Sequence, residues 1–264
     1  MRRPRVVSLN CSNTEIVYAL GRADCLVGVD DDSDHPADVV AALPRVGRDL
    51  DIDVERVAAL RPDLVLASLT VPGHERVVEA LQRAGLPYRA AETQSLADTY
   101  ADVLDIGARL DAEDAARALV ARMQRELEPV ADDPGPRPRF LVQWWPKPVI
   151  APGRRSWVDD LLRLSGAHNV LGDRDVKSEP LTDAQVAALA PDAIVLSWCG
   201  VRTENYRPDV VYRNPAWQDV PAVRARRVFP VPEAFLGRPG PRLVEGARAL
   251  RALVAACRDA DAGR

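Results

Sequence analysis

The sequence is poor in the residue types that most catalytic and metal-binding sites use. Of 264 residues only three are histidine, namely His35, His74 and His168. The four cysteines form no C-x-x-C pair, which excludes the spacing typical of zinc and thiol-redox sites. His74-Glu75 begins like the zinc-protease motif H-E-x-x-H, but position 78 is valine. The sequence therefore predicts no catalytic residue and no metal site.

Long apolar runs, positive charge and phosphate-binding loops are also missing. No segment approaches the ~18–20 apolar residues that a membrane-spanning helix needs. The net charge of −4 disfavours nucleic acid and anionic membranes as partners. No G-x-G-x-x-G, G-x-x-x-x-G-K-[ST] or G-x-S-x-G motif is present. With 47% hydrophobic residues the chain is not of the disordered class, and we expect a globular monomer that is not an enzyme.

The N-terminus has no recognisable targeting segment. Residues 1–5 are basic, but the apolar stretch at residues 6–9 is far too short for a signal-peptide core, and no lipobox cysteine follows an apolar run. If the chain is full length, we expect a cytoplasmic protein. The alternative is an extracytoplasmic protein whose leader has been removed.

An internal repeat is the strongest organisational signal. Residues 57–68 return as residues 186–197, at an offset of 129, with 7 of 12 positions identical. Each copy is typical of a short amphipathic helix that ends at a Pro-Asp turn and is followed by a continuous apolar run. A strand that is apolar at consecutive positions is buried on both faces, as in a parallel sheet covered by helices.

The segments around the two copies predict an α/β fold of two Rossmann-like lobes. We expect an N-terminal lobe over residues 1–110, a connecting helix and linker over 111–138, and a C-terminal lobe over 139–264. The helical spacing runs from residue 112 to about 128, and a Pro-rich break at residues 132–138 follows it. A single long helix therefore joins the lobes.

Aromatic residues are concentrated in the second half. Ten of the 13 aromatic residues, including all five tryptophans, lie after position 138. Trp144-Trp145 and Trp198 each end a predicted strand, and Phe235 precedes a Gly- and Pro-rich loop. Ligands of open α/β sheets bind at strand ends, so these rings predict a pocket for a large, flat, apolar ligand. The alternative is that the rings only fill the core.

Arg238 lies in that loop between Gly237 and Pro239. In a rigid loop its guanidinium can present a fixed fork of donors to an amide or a carboxylate of a ligand. The alternative is an ordinary exposed arginine without a partner.

Several of these segments resemble a known family. The segments are Arg5-Val6-Val7-Ser8-Leu9, Ser33-Asp34-His35-Pro36 and Leu60-Arg61-Pro62-Asp63, together with Trp144-Trp145-Pro146, Ser197-Trp198-Cys199-Gly200 and Arg238-Pro239-Gly240-Pro241-Arg242. The chain resembles the periplasmic-binding-protein-like importers of cobalamin, haem and iron–siderophores over nearly its whole length, and the last three segments are similar to the cobalamin-binding branch.

The resemblance implies a receptor that binds a cobalamin-like corrinoid between its lobes, without a cofactor, and delivers it to the permease dimer of an ABC importer. Trp144, Trp145, Trp198, Phe235 and Arg238 are then the ligand-binding residues of the second lobe. The alternatives are a haem or siderophore receptor, and a cytoplasmic corrinoid-handling protein or enzyme that reuses the fold.

The resemblance also implies the roles of five further residues. Family members dock the permease through one carboxylate on each lobe. Glu55 matches the first of these, whereas the second falls on Ala184, next to Asp183, which we expect to substitute for it. In the first lobe Asp32, His35 and Ser68 stand at ligand-binding positions where relatives carry aromatic rings. The imidazole of His35 is a candidate axial ligand for cobalt.

Overall fold

The computed structural model describes residues 3–130, 135 and 137–262. The chain divides into two units, one of residues 1–93 and 97–123 and the other of residues 94–96 and 124–264. The short segment 94–96 belongs with the second unit because the backbone N–H of Leu96 donates to Asp160 Oδ2 at 2.9 Å, and Arg155 Nε donates to Gln94 Oε1 at 2.6 Å. Much of the predicted linker, residues 132–134 and 136, lies outside the described residues.

The first part of the chain alternates strands and helices. Its strands are β1 (Val6–Ser8), β2 (Leu26–Val29), β3 (Gly47–Arg48), β4 (Asp51–Ile52), β5 (Leu64–Ser68) and β6 (Tyr88–Ala91). Its helices are α1 (Cys11–Ala19), α2 (Ala37–Val40), α3 (Val54–Ala59), α4 (His74–Arg83), α5 (Leu96–Arg109) and α6 (Glu113–Glu126). The observed α6 matches the helix predicted over residues 112–128, and it carries the chain from the first unit into the second.

The second unit has the same alternation with an added ribbon. Its strands are β7 (Arg139–Gln143), β8 (Trp145–Pro146), β9 (Val149–Pro152), β10 (His168–Asn169), β11 (Ser178–Leu181), β12 (Ala193–Leu196) and β13 (Val228–Pro230). Its helices are α7 (Trp157–Leu164), α8 (Asp183–Leu189), α9 (Pro208–Tyr212), α10 (Pro221–Arg224), α11 (Glu233–Leu236) and α12 (Leu243–Ala262).

The main sheets of the two units have equivalent strand orders. The first is β2-β1-β5-β6 and the second is β10-β7-β12-β13, and every pairing in both is parallel. The two copies of the sequence repeat contribute β5 and β12, the third strand of each sheet. Both strands are buried at every position, as their unbroken apolar runs predict. The prediction of two α/β lobes is confirmed.

The beginning of α7 and the ends of α1 and α7 are set by local residues. The hydroxyl of Ser156 accepts a hydrogen bond from the backbone N–H of Val158 and so caps α7. Gly166 follows that helix with φ +85°, and Gly21 follows α1 with φ +70°. This left-handed backbone region is open to glycine at little cost, so each glycine ends its helix.

The second unit carries an antiparallel sheet of order β11-β9-β8 beside its main sheet. Trp145 pairs with Ile150 in this ribbon, and the backbone N–H of Trp144 donates to the carbonyl of Ile150 at 2.8 Å. The ribbon therefore positions the double tryptophan at the point where β7 ends.

Candidate functional site

The carboxyl ends of the parallel strands in the second unit bring several predicted residues to one edge of the sheet. Trp144 follows β7, Trp198 follows β12 after one residue, and Phe235 follows β13 on the short helix α11. This edge is where open α/β sheets bind ligands.

Trp144 is half-buried and packs against Trp157, with ring centroids 5.5 Å apart and planes inclined by 33°. The indole of Trp157 is in turn held by α11, since its Nε1 donates to the carbonyl of Leu236 at 2.7 Å. The Nε1 of Trp144 is buried and has no hydrogen-bond partner among the described residues. The sequence analysis does not single out Trp157, whose contact with Trp144 becomes visible only in the structure.

Trp145 is the exposed member of the pair, with 42% of its surface accessible. Its Nε1 donates to the carbonyl of Lys147 at 3.1 Å, which closes the turn between β8 and β9. The indole therefore offers an open aromatic face at the edge of the ribbon.

Trp198 is buried, with only 6% of its surface accessible, and belongs to the core of the second unit. Its Nε1 donates to Gln143 Oε1 at 3.3 Å, and its ring centroid lies 5.3 Å from that of Tyr206. The Trp198 ring therefore mainly fills the core, as in the second of the two interpretations of the aromatic residues. It also contributes to the lining of a cavity.

The phenol of Tyr206 connects Trp198 to Arg238 through Glu233. Its hydroxyl donates to the carbonyl of Trp198 at 3.3 Å and accepts from the backbone N–H of Glu233 at 3.1 Å. Burial raises the pKa of the Tyr206 phenol, so the group is a neutral hydrogen-bond donor. The carboxylate of Glu233 then accepts from Arg238 Nε at 2.9 Å, with both side chains largely buried.

Arg238 is consequently paired, and the alternative of an exposed arginine without a partner does not apply. Beside it, the guanidinium of Arg242 lies 4.9 Å from the ring centroid of Phe235, within the range of a cation–π contact. Helix α11 thus connects four predicted residues, because it contains Phe235, holds Trp157 beneath Trp144, and links Trp198 to Arg238 through Tyr206 and Glu233.

A cavity of about 680 Å³ lies beside this edge, within the second unit. Its lining comes from the β8–β9 turn, from α9 and the turn after it, and from Gln143 and Trp198. We call it the Lys147 cavity, after the lysine of the β8–β9 turn that lines it.

In the first unit, the loop after β2 is organised around Asp30, which is fully buried. Its carboxylate accepts hydrogen bonds from Ser33 Oγ and from the backbone N–H of Asp32, the latter at 3.1 Å. Burial raises the pKa of Asp30 to about 6, and the carboxylates of Asp32 and Asp49 act in the same direction. The predicted site residue Asp32 itself forms an ion pair with Arg48 at 3.2 Å.

His35 is exposed on the same loop. Its ring lies 6.2 Å from that of Tyr18, edge to face, and 43% of the Tyr18 surface is accessible. Sequence reasoning missed Tyr18, which lies in α1, because only the tertiary structure brings it to the loop. Ser68 is buried at the end of β5, where its hydroxyl bonds that of Thr70 at 2.8 Å.

The two predicted docking carboxylates differ in their surroundings. Glu55 is exposed in the first turn of α3, which Asp53 caps by accepting from the backbone N–H of Arg56 at 2.9 Å. Asp183 is exposed at the start of α8, and its Oδ1 accepts from Asn214 Nδ2 at 3.1 Å.

Over residues 3–130 and 137–262, no cluster of three or more His, Cys, Asp or Glu side chains is arranged to hold a metal ion. In the same ranges, no helix combines the length and the apolar character that crossing a membrane requires.

Comparison with known proteins gives consistent matches over most of the chain. The family model described as periplasmic binding protein matches residues 6–234. An uncharacterized ABC transporter substrate-binding lipoprotein of Bacillus subtilis (strain 168) is 30% identical over 254 residues, which is 93% of this chain and 78% of that protein. A vitamin B12-binding protein of Vibrio vulnificus (strain YJ016) is 26% identical over 253 residues, 90% of this chain and 85% of that protein.

Among solved structures, a periplasmic heme binding protein from Pseudomonas aeruginosa superposes with a TM-score of 0.82 at 28% identity. The match covers 96% of this chain and 93% of that one. The similar proteins thus differ in the ligands for which they are named, while they share one fold.

The expectation of a cytoplasmic protein is wrong. The relatives are a lipoprotein and binding proteins of ABC importers, and the matching family is described as periplasmic, which indicates an extracytoplasmic location. Export depends on a leader peptide, so the location of the protein cannot be inferred from the packing or the chemistry of the folded units.

The relatives are transport proteins, and the family works with ABC importer permeases on small-molecule ligands. The family model covers 229 of the 264 residues, and the two equivalent parallel sheets agree with it. This chain belongs to the periplasmic binding protein family and is a substrate-binding protein of ABC importers.

Proposed function

We propose that this chain captures a corrinoid of the cobalamin type and delivers it to the permease of an ABC importer, without catalysing a reaction. Relatives named as vitamin B12-binding proteins, which match about 90% of the chain, support the ligand class. A corrinoid is broad, flat and largely apolar on its faces, so aromatic side chains bind it with much buried area and little loss of side-chain entropy.

The observation that carries the proposal is the group of aromatic rings tied to α11. Trp144 rests on Trp157, whose indole is fixed by Leu236, and Phe235 extends from the same short helix under Arg242. The exposed indole of Trp145 lies at the same end of β7. Rings that are held in place by packing contacts or by hydrogen bonds in the unbound protein lose little freedom when a flat ligand stacks on them.

Haem is the second candidate, and the pair of Tyr18 and His35 favours it. An exposed phenol and an exposed imidazole stand 6.2 Å apart between ring centroids. Tyrosine and histidine both serve as axial ligands of haem iron in proteins. The solved heme-binding neighbour with a TM-score of 0.82 supports this candidate as well.

The test is a titration of the purified protein with cyanocobalamin, cobinamide and haemin, followed by quenching of tryptophan fluorescence and by calorimetry. We expect both corrinoids to bind and Trp144→Ala to weaken them by about 1–3 kcal/mol, as for other buried aromatic contacts at binding sites. Leu104→Ala is the control, since it shortens an exposed apolar side chain of α5 in the first unit.

Haemin distinguishes the second candidate. If haem is the ligand, we expect haemin to bind tightly and its Soret band to shift on binding. We also expect Tyr18→Phe or His35→Ala to change that band. If cyanocobalamin and cobinamide both fail to bind, the corrinoid proposal is wrong. The same His35→Ala variant tests the axial cobalt ligand, because loss of an imidazole ligand changes the visible spectrum of a bound corrinoid.

A further inference from the structure

The Lys147 cavity has the size and the lining of a small-molecule site. Ligand pockets of proteins commonly enclose ~300–1,000 Å³, and this cavity holds about 680 Å³. Leu181, Val210 and Val211 line it together with the indoles of Trp198 and Trp217. The Trp217 ring is fixed because its Nε1 donates to the carbonyl of Asp183 at 3.2 Å. Two fixed indoles and three aliphatic side chains suit a flat ring.

The charged side chains of the lining favour an anion. Arg213 is paired with Asp209, and Asp183 is held by Asn214. The ammonium of Lys147, which is exposed, forms no ion pair or hydrogen bond with any residue that the structure describes. Because Asp209 neutralises Arg213, the cation of the lining that remains available to an anion is the ammonium of Lys147.

Gln143 supplies a second reason to expect an oxygen-bearing occupant. It lines the cavity and is only 1% exposed. Its Oε1 accepts from the indole of Trp198, whereas its Nε2 has no partner among the described residues. A buried amide donor without an acceptor costs free energy, and the terminal torsion of glutamine is soft enough to turn the amide toward an acceptor.

We propose that the Lys147 cavity is a subsite for a flat aromatic or heterocyclic ring that carries a phosphate or carboxylate group. The ring lies among Trp198, Trp217 and the aliphatic side chains. The anionic oxygen lies between the ammonium of Lys147 and the amide of Gln143. This chemistry fits either the nucleotide arm of a complete corrinoid, which rests on the proposed function, or a free aromatic anion.

Two measurements separate these sources. Phenyl phosphate is titrated alone by calorimetry, which probes the subsite without any corrinoid. Cyanocobalamin is compared with cobinamide, which lacks the nucleotide arm and therefore its phosphate and ring. Each measurement is made on the wild-type chain and on Lys147→Ala, Lys147→Arg and Val210→Trp. Val210 is 44% exposed on α9, so a tryptophan there narrows the cavity without entering the core.

Lys177→Ala is the matched control. Lys147 and Lys177 are the two lysines of the chain, both lie in the second unit, and Lys177 is not part of the cavity lining. We expect Lys147→Ala to weaken phenyl phosphate binding about tenfold or more, as for loss of a hydrogen bond to a charged group. Lys147→Arg should restore most of the affinity, and Lys177→Ala should leave it unchanged.

If the arm of a corrinoid is the occupant, the preference for cyanocobalamin over cobinamide falls in Lys147→Ala and in Val210→Trp. If that preference is unchanged while phenyl phosphate still depends on Lys147, the occupant is a free aromatic anion. If neither ligand depends on Lys147 or on Val210, the subsite does not exist. Failure of both corrinoids to bind would refute the proposed function alone, because the phenyl phosphate measurement stands without it.

Discussion

The carboxylate of Asp192 accepts a hydrogen bond from the backbone N–H of Arg139 at 2.8 Å, and the backbone N–H of Asp192 donates to the carbonyl of Arg139 at 2.8 Å. In the first unit Asp63 forms the same two bonds with Arg5, both at 2.8 Å. The two aspartates are separated by the repeat offset of 129 residues. The repeat therefore preserves a specific clamp between β1 and β5 in the first sheet and between β7 and β12 in the second, which are neighbouring strands.

The backbone just before each aspartate repeats as well. Arg61 and Ala190, which are equivalent in the repeat, both have positive φ, at 47° and 45°. A left-handed turn at a non-glycine residue is uncommon and needs support from its surroundings. The aspartate clamp two residues later supplies that support in both units.

Removal of the clamp should destabilise the fold modestly. We expect Asp192→Ala to lower the free energy of unfolding by about 1 kcal/mol, because the lost bond lies near the surface and water replaces it in part. Asp63→Ala should have a similar effect in the first unit. Urea denaturation measures both, with Asp219→Ala, an exposed aspartate of the second unit, as the control. Equal stability of Asp192→Ala and the control would contradict a role for the clamp.

The buried carboxyl of Asp30 should make stability depend on pH. Its pKa is raised from 3.8 to about 6, so between those values the folded chain binds more protons than the unfolded chain. The contribution of Asp30 to stability is therefore fully present below about pH 4 and is lost as the pH rises through about 6. A pKa difference of about 2 corresponds to about 3 kcal/mol.

Asp30→Asn provides the measurement, because asparagine does not titrate, its one amide oxygen keeps an acceptor for the backbone N–H of Asp32, and its NH2 group can donate to Ser33 Oγ. The difference in unfolding free energy between wild type and variant is followed in urea from pH 4 to 7. We expect the wild type to lose stability relative to Asp30→Asn over this interval. A difference that stays constant with pH would show that Asp30 does not titrate there.

Trp198 should matter for stability more than its position at a strand end suggests. Since the ring is buried in the core of the second unit, Trp198→Ala should cost about 3–5 kcal/mol. Trp198→Phe keeps an aromatic ring and loses chiefly the hydrogen bond to Gln143, so it should cost much less. Thermal unfolding compares the two variants, and corrinoid affinity is best measured on Trp198→Phe. Equal stability of wild type and Trp198→Ala would refute the core placement.

If Glu55 and Asp183 dock a permease as predicted, they should not contribute equally to that interaction. Glu55 is exposed, whereas Asp183 already accepts a hydrogen bond from Asn214. Because exposed charges act mainly on association, we expect Glu55→Ala to slow association with the reconstituted importer about tenfold at low salt. Asp183→Ala should have a smaller effect, and Glu79→Ala on α4 is the control. A larger effect at Asp183 than at Glu55 would contradict this order.

Much of the candidate site could be named from the sequence, but its contacts could not. Trp144 was predicted because it ends a strand, and Phe235 and Arg238 were predicted because they lie before and within a Gly- and Pro-rich loop. Their partners Trp157, Tyr206 and Glu233 carry no such signal, because the first two occupy positions that core residues also occupy. Only the fold brings Trp157 to Leu236, which is 79 residues away along the chain.

The α/β alternation, the duplication and the buried strand in each copy of the repeat could all be predicted from the sequence. These features follow from local periodicity and from turn chemistry, which act between residues close in the chain. The burial of Trp198, the pairing of Arg238 with Glu233 and the cavity beside Lys147 became visible only in the folded structure. Such features depend on contacts between segments that are distant in the chain. The geometry of these contacts is set by the packing of the whole unit and cannot be inferred from the spacing of residue types along the sequence.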